Sequence, residues 1–166
     1  MSAKSRAPAT AGREPSQTAH PPKLQGLVGY VIRRAQMAVF RDFLSATKDV
    51  GITPAQFSLL TIVAERPGLK QTTLSAALEV KRANLATMLD VMESRGLIAR
   101  QAVSNDARAN SVTITAAGRK TLDRLDVLVT THDAKITGGL NELERAQLIR
   151  LLASVIRNCG SVPAGL

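Results

Sequence analysis

Apolar residues recur at helical spacing over the first ordered stretch of the chain, residues 24–50. Leu27 and Val31 belong to one row with steps of three and four residues, and Tyr30 and Met37 belong to a second row. A helix with two apolar faces needs two packing partners. The pattern therefore predicts a long first helix that packs on its own chain and also on a second copy of it.

Cap residues mark both ends of a second helix. Thr53 is suited to the N-cap and Pro54 to the first helical position, and the sequence Arg66-Pro67-Gly68 breaks the helix. Phe57 and Leu60 recur at helical spacing between these signals, so we expect them on the buried face.

Two shorter helices joined by a tight turn follow. The first begins near 72–75, Glu79 and Val80 form the turn, and the second runs from about 82 to 94. The first helix is expected to bury Leu74, Ala77 and Leu78. The second is expected to bury Leu85, Leu89 and Met92, and Gly96 is suited to its C-cap.

Residues 97–100 and 111–114 have the composition of strands, and the second segment alternates between apolar and polar residues. The stretch between them, 104–110, is polar and predicts a loop with a charged tip. Together they predict a β-hairpin.

Two more helices complete the pattern. Thr115 is suited to the N-cap of a helix that reaches about Thr137 and ends at 138–139, two glycines. Asn141 and Glu144 have the spacing of a capping box, and the last helix that they begin has a broad apolar face.

This order of elements predicts a mainly α fold: a winged helix-turn-helix over about 53–115, with a small β-hairpin wing and a helical dimerisation region. The dimerisation helices are expected at about 24–50 and 116–158. Residues 1–22 hold four of the seven prolines and few large apolar side chains, so we expect a disordered tail there. Residues 159–166 are expected to form a short C-terminal tail.

The net charge of the chain indicates the kind of partner that it binds. The formal net charge is +9, which suits a polyanion, either nucleic acid or an anionic membrane face. No apolar run has the length of roughly 18–20 residues that a membrane span needs. No secretory signal is recognisable, and there is one cysteine, so we expect a cytoplasmic protein without membrane contact.

The predicted helix-turn-helix presents polar side chains that are suited to double-stranded DNA. Arg82 and Asn84 can bond guanine and adenine, whereas Lys81 suits a phosphate. The predicted DNA-binding set comprises Lys70, Gln71, Thr72, Thr73, Lys81, Arg82, Asn84, Thr87 and, at the hairpin tip, Arg108 and Asn110. The alternative for each charged residue is an ordinary solvated side chain.

Several segments resemble the MarR family of bacterial transcription regulators. They are 52–57 (ITPAQF), the helix-turn-helix over 74–92, 93–97 (ESRGL) and above all 106–118 (DARANSVTITAAG). The resemblance covers about 24–158, and it implies a MarR-type domain over 23–158 that forms a homodimer and binds a pseudo-palindromic operator. It also implies a ligand-responsive regulator, most often a repressor.

Three further segments resemble the branch that represses hydroxycinnamate and related aromatic-acid catabolism: 30–40 (YVIRRAQMAVF), 67–72 (PGLKQT) and 81–85 (KRANL). That resemblance implies a small aromatic acid or its coenzyme A (CoA) thioester as effector. In such regulators the effector lies between the dimerisation helices and the winged domain. The ligand-binding residues expected here are Tyr30, Arg33, Arg34, Met37, Phe40, Arg41 and Phe57. The alternative is that the aromatic residues belong to the core and that the arginines are solvated or paired across the dimer.

Other functions are less well supported by the sequence. Cys159 lies near the C-terminus, away from the first helix, where oxidant-sensing relatives carry their reactive thiol. Two histidines and one cysteine give no metal-ligand spacing, and no cofactor is expected. There is no nucleophile–base set and no phosphate-binding glycine loop, so we do not expect an enzyme. A sequence-tolerant, architectural DNA-binding protein without an effector stays open as the second hypothesis.

Overall fold

The computed structural model describes residues 21–103 and 106–160, and the side chains of 102–110 lie outside this description. Most of the two predicted tails therefore lies outside the described residues. The described residues up to Met37 form one compact unit, and those from Ala38 onward form a second.

The described residues form seven helices and three strands. The helices are α1 (Pro22–Gln25), α2 (Val28–Ala46), α3 (Pro54–Glu65), α4 (Gln71–Ala77), α5 (Arg82–Ser94), α6 (Ala116–Ile136) and α7 (Glu142–Cys159). The strands are β1 (Leu69–Lys70), β2 (Ile98–Val103) and β3 (Asp106–Ile114). Among the described helices none is long and apolar enough to cross a membrane. The prediction of a mainly α winged helix-turn-helix is confirmed.

The prediction of one helix over 24–50 is wrong in two details. The chain forms α1 and α2 with a break between them, and α2 ends at Ala46. The buried hydroxyl of Thr47 lies 2.9 Å from the carbonyl oxygen of Phe43 and 2.9 Å from that of Ile52. This shared hydrogen bond satisfies a carbonyl at the helix end, so the chain turns here instead of continuing as a helix.

The winged domain contains a three-stranded antiparallel sheet in the order β1-β3-β2. The predicted hairpin is present, with Ile98 opposite Ile114. Strand β1 was not predicted, because its two residues, which pair with Val112 and Ser111, are too few to show an alternating pattern. The polar stretch 104–110 was predicted as a loop, but β3 already begins at Asp106, so most of it is strand.

The hydrophobic core lies in the winged domain of the second unit. The predicted inward residues Leu85, Leu89 and Met92 are buried, and Leu59, Leu60 and Val63 of α3 pack with them. Phe57 is half-buried, and Ala77, which was expected to be inward, is exposed. The short α4 buries Leu74 and Ser75 instead.

Gly118 fixes the position of α6 against the wing. The side chain of Thr115 accepts a hydrogen bond from the amide of Gly118 at 2.9 Å and donates one to the carbonyl of Gly96 at 2.6 Å. A Cβ atom on Gly118 would lie 2.0 Å from the carbonyl oxygen of Leu97. Only glycine lets the first turn of α6 approach the chain before β2 so closely.

Helix α7 has no buried residue in the isolated chain. It begins with the predicted capping box of Asn141 and Glu144. Its exposed large apolar residues are Leu143, Leu148, Ile149, Leu151, Leu152 and Ile156. An apolar surface of this size on one helix indicates a protein interface.

Candidate nucleic-acid interface and effector region

The outer surface of α5 carries the polar residues expected to contact DNA. Lys81, Arg82, Asn84 and Thr87 are all exposed, whereas Leu85 and Leu89 on the opposite side are buried. The hydroxyl of Thr87 donates to the carbonyl of Ala83 at 3.2 Å. The described side chains thus separate into a core side and a solvent side, as the sequence predicted.

The N-termini of α4 and α5 lack side-chain caps. Lys70 and Lys81 occupy the two N-cap positions, and neither makes a capping hydrogen bond. In contrast, α3, α6 and α7 are capped by Thr53, Thr115 and Asn141. The first amide groups of α4 and α5 are therefore left without a side-chain acceptor, beside exposed lysines, which is the arrangement that favours an anion.

The beginning of α4 supplies further polar groups. Thr72 and Thr73 are exposed in its first turn, and Gln71 is partly buried. Hydroxyl groups at such a position can donate to phosphate oxygens. Apart from Thr87 in the second turn of α5, the structure thus places the predicted residues of α4 and α5 at the starts of the two helices.

The turn between α4 and α5 is fixed by a buried hydroxyl. Ser75 donates to the carbonyl of Val80 at 2.6 Å. Glu79 has a φ of 52°, a left-handed conformation that costs a non-glycine residue about 1–2 kcal/mol. The buried bond holds the turn in this conformation, which sets the direction in which α5 leaves it.

An ion-pair cluster joins α5 to the wing. Arg100 of β2 donates through Nε to Glu93 at 2.8 Å and lies 2.8 Å from Asp90, and its backbone amide donates to Glu93 at 3.1 Å. The hydrogen bonds from Arg100 hold the pKa of the Glu93 carboxyl below its ordinary value. They also raise the pKa of Arg100, with Glu93 as the main cause. Both carboxylates on this part of α5 are thereby neutralised locally.

The predicted wing residues Arg108 and Asn110 lie where side chains are not described. The backbone of Asn110 pairs with that of Ala102, so it belongs to the two-stranded part of the wing. Their role in DNA binding stays a prediction.

Four of the predicted effector residues belong to the first unit. The guanidinium of Arg34 lies 5.9 Å from the centre of the Tyr30 ring, a cation–π geometry. Arg33 and Met37 are exposed. Within this unit the structure thus brings together one aromatic ring and one arginine.

The other three predicted effector residues belong to the second unit. Phe40 and Arg41 are exposed on α2. The ring centre of Phe57 lies 6.2 Å from that of Phe43, a buried residue one turn beyond Phe40. Phe57 also lines an open groove of about 490 Å³ beside Leu78. Phe43 of α2 and Phe57 of α3 therefore form an aromatic pair.

A buried polar group lies beside these rings. His132 of α6 is buried, and its ring meets that of Phe43 edge-on at 5.5 Å. Its Nδ1 lies 3.0 Å from a carboxylate oxygen of Asp42, and Lys135 donates to the other oxygen. The hydrogen bonds from Lys135 and then from His132 hold the pKa of the Asp42 carboxyl below its ordinary value.

Tertiary folding brings together the residues of the Arg100 cluster and of the His132 cluster. Asp42 and His132 are 90 positions apart. Arg100 and Glu93 are only seven positions apart, but one lies in β2 and the other near the end of α5. Their opposite charges were the only sign of this contact in the sequence. Among the described residues no group of three or more His, Cys, Asp or Glu side chains could hold a metal ion.

A comparison with protein-family models matches residues 52–109 to the MarR family. Among curated proteins, the chain is 32% identical over 144 residues to a putative transcriptional regulatory protein for the hcr operon of Thauera aromatica. That match covers 86% of this chain and 87% of the relative. An HTH-type transcriptional repressor of Mycobacterium tuberculosis, Rv2887, is 26% identical over 75% of this chain and 90% of its own length.

Solved structures give a similar picture. The transcriptional repressor CouR bound to a 23-mer DNA duplex superposes with a TM-score of 0.78 at 39% identity, covering 81% of this chain and 95% of that one. CouR bound to p-coumaroyl-CoA superposes with a TM-score of 0.75 at 38% identity, covering 81% of this chain and 94% of that one. The relatives are named as transcriptional regulators and not as enzymes.

Proposed function

Because the chain belongs to the MarR family of transcriptional regulators, we propose that it is a dimeric repressor of aromatic-acid catabolic genes, released by an aromatic acid or its CoA thioester. Its target would be a pseudo-palindromic operator in double-stranded DNA, and the cytoplasm its place of action. The uncapped, lysine-flanked starts of α4 and α5 are the observation that carries the proposal.

The polar surface of α5 supports sequence-specific DNA recognition. Arg82 and Asn84 are exposed in the first turn, where a recognition helix contacts base edges in the major groove. Lys81 and Lys70, next to the free amides, are suited to phosphates. The net charge of +9 favours the approach to DNA and predicts a strong salt dependence.

The exposed apolar surface of α7 supports dimerisation. A two-fold symmetric dimer presents two α5 helices to successive major grooves, with half-sites roughly 34 Å apart. The spacing of the two helices then determines whether both can bind DNA together.

The proposed effector class is supported by the side chains of α2 and α3 and by the relative CouR, which has been solved with p-coumaroyl-CoA. Phe40, Phe43 and Phe57 offer apolar rings. Arg33, Arg34 and Arg41 lie along α2, and guanidinium groups bind carboxylates and phosphates strongly. A ligand that binds the DNA-incompetent arrangement better would shift the dimer towards it.

The test is a binding titration of the full-length protein with the DNA upstream of its own gene and with random DNA of equal length. We expect protection of an inverted repeat in a footprint, and a specificity ratio of about 10³ or more. Arg82→Ala should relax base preference, with a loss of about 1–3 kcal/mol on the operator. Lys81→Ala should weaken all sequences evenly and reduce the salt slope by about one.

Three outcomes would contradict parts of this proposal. A specificity ratio near one would favour the sequence-tolerant architectural protein. Unchanged operator affinity and selectivity in Arg82→Ala would remove the recognition role from α5. Addition of 4-hydroxycinnamate or its CoA thioester should release the operator, and no release by either compound would overturn the effector class.

A further inference from the structure

The buried cluster around His132 contains one polar atom whose hydrogen-bonding capacity is unused. His132 is 6% exposed, and it is one of three buried polar residues in the part of the chain that the structure describes. The other two, Thr47 and Ser75, bond to nearby backbone carbonyls. His132 bonds through Nδ1 to Asp42, whereas its Nε2 has no partner among the described residues.

The partner of the imidazole ring determines which tautomer its neutral form takes. Because Asp42 also accepts a hydrogen bond from Lys135 and has a lowered pKa, its carboxylate is ionised at neutral pH and can only accept. In the neutral ring the hydrogen therefore sits on Nδ1, and Nε2 presents a lone pair.

This lone pair keeps some contact with solvent. Every fully enclosed side-chain nitrogen or oxygen among the described residues has a hydrogen-bond partner, so the unpartnered Nε2 is accessible to solvent. The ring of Phe43 meets the imidazole edge-on at 5.5 Å, and the centre of the Phe57 ring lies 6.2 Å from that of Phe43. An acceptor set among phenyl rings complements an aromatic ring that carries a hydrogen-bond donor.

We propose that His132 reads an aryl hydroxyl group of the effector, accepting its hydrogen bond at Nε2 while the effector ring packs against Phe43 and Phe57. Asp42 is then a positioning residue, because it fixes the tautomer and the orientation of the imidazole. The inference rests on the proposed effector class and makes it narrower: hydroxylated aryl thioesters are preferred over those that lack a donor.

The test is calorimetric titration of the full-length dimer with two matched thioesters, 4-hydroxycinnamoyl-CoA and 4-fluorocinnamoyl-CoA. The two rings are similar in size, but only the hydroxyl can donate. We expect the wild-type protein to prefer the hydroxylated compound by about tenfold, the value of one neutral hydrogen bond near the upper end of its range. His132→Leu should bind the two compounds with equal affinity.

Lys135→Ala is the matched control. Lys135 bonds the same carboxylate but is exposed, so this variant should keep the preference. Operator binding without a ligand reports whether His132→Leu is folded, and the two-thioester comparison in the wild-type protein tests the donor requirement even if that variant is unstable.

The outcomes separate this inference from the proposed function. Binding of both thioesters with equal affinity to the wild-type protein, or a preference that survives in His132→Leu, would overturn the role of His132 and leave the effector class intact. Binding of neither compound would overturn this inference and the thioester as effector, and would leave only the free aromatic acid of the proposed class. A preference that is lost equally in Lys135→Ala would assign the selectivity to the charge balance at Asp42 and would also contradict the proposal.

Discussion

At the scale of single residues, one glycine determines how closely α6 packs against the chain that follows α5. Gly118 lies in the first turn of α6, where Thr115 caps the helix and at the same time bonds the carbonyl of Gly96. Gly96 follows α5 in the left-handed conformation, with φ at 67°. The hydroxyl of Thr115 therefore links the end of α5 to the start of α6. The position of α5 relative to α6 therefore depends on a close backbone contact.

Substitution of this glycine should be costly. In Gly118→Ala the new Cβ would lie 2.0 Å from the Leu97 carbonyl oxygen and 2.8 Å from a carbon of the Ile114 side chain. Backbone atoms cannot move aside easily, so we expect a loss of about 3 kcal/mol or more in the free energy of unfolding. Urea denaturation at fixed protein concentration measures it.

Gly139→Ala provides the comparison, because a Cβ there meets nothing within 4 Å. Its effect should stay within about 0.5 kcal/mol. Equal stabilities of the two variants would show that α6 can shift to accommodate a methyl group.

At the scale of elements, the sequence predicted those parts of the molecule that are determined locally. The N-caps Thr53, Thr115 and Asn141 and the inward residues of α5 follow from neighbouring residues, and the structure confirms them. Strand β1 forms only because β3 pairs with it, and its two residues are too few to predict a strand from the sequence. The end of α2 depends on the hydrogen bond from Thr47 to the carbonyl of Ile52, and the spacing of apolar residues does not reveal this bond.

The candidate site likewise has features that the sequence predicts and features that depend on tertiary structure. Exposure of Lys81, Arg82, Asn84 and Thr87 was predictable, because the core residues of one helix leave only its other side for solvent. The cluster of Asp42, His132 and Phe43 was not, since it joins two helices that are far apart in the chain. Likewise, the partners of Arg100 depend on how the wing packs against α5.

The contact of Arg100 with Glu93 links the stability of the wing to pH. Because the folded state lowers the pKa of Glu93, the carboxylate stabilises the fold above its ordinary pKa, and this contribution is lost as the pH falls through the lower folded value. Glu93→Gln should therefore be less stable than the wild type near neutral pH, and the difference should shrink on acidification. Denaturant unfolding from about pH 3 to pH 7 measures this difference.

The control for this prediction is the same substitution in an Arg100→Met background. Without the guanidinium, Glu93→Gln should no longer produce a difference that depends on pH in this range. If the pH dependence persisted there, another group would be responsible for it.

At the scale of the whole molecule, the exposed apolar surface of α7 and the symmetry expected of the operator both favour a dimer. An apolar helix surface cannot stay open to water without risk of aggregation, and one recognition helix contacts too few bases to select a site in a genome. A two-fold dimer with α7 at its interface would resolve both problems, because it would cover α7 and double the recognised sequence.

Ile149→Asp tests this joint requirement. Ile149 is 56% exposed in the isolated chain and lies three and seven positions before Leu152 and Ile156, so the carboxylate should disrupt the interface while leaving the fold of one chain intact. We expect a monomer in analytical ultracentrifugation, an unchanged helical circular dichroism spectrum, and operator affinity lowered by roughly 10²–10⁴-fold through the loss of bivalent binding. Gln147→Asp adds the same charge about 200° around the helix and should stay dimeric with wild-type affinity. A dimeric Ile149→Asp protein with full affinity would place the interface elsewhere.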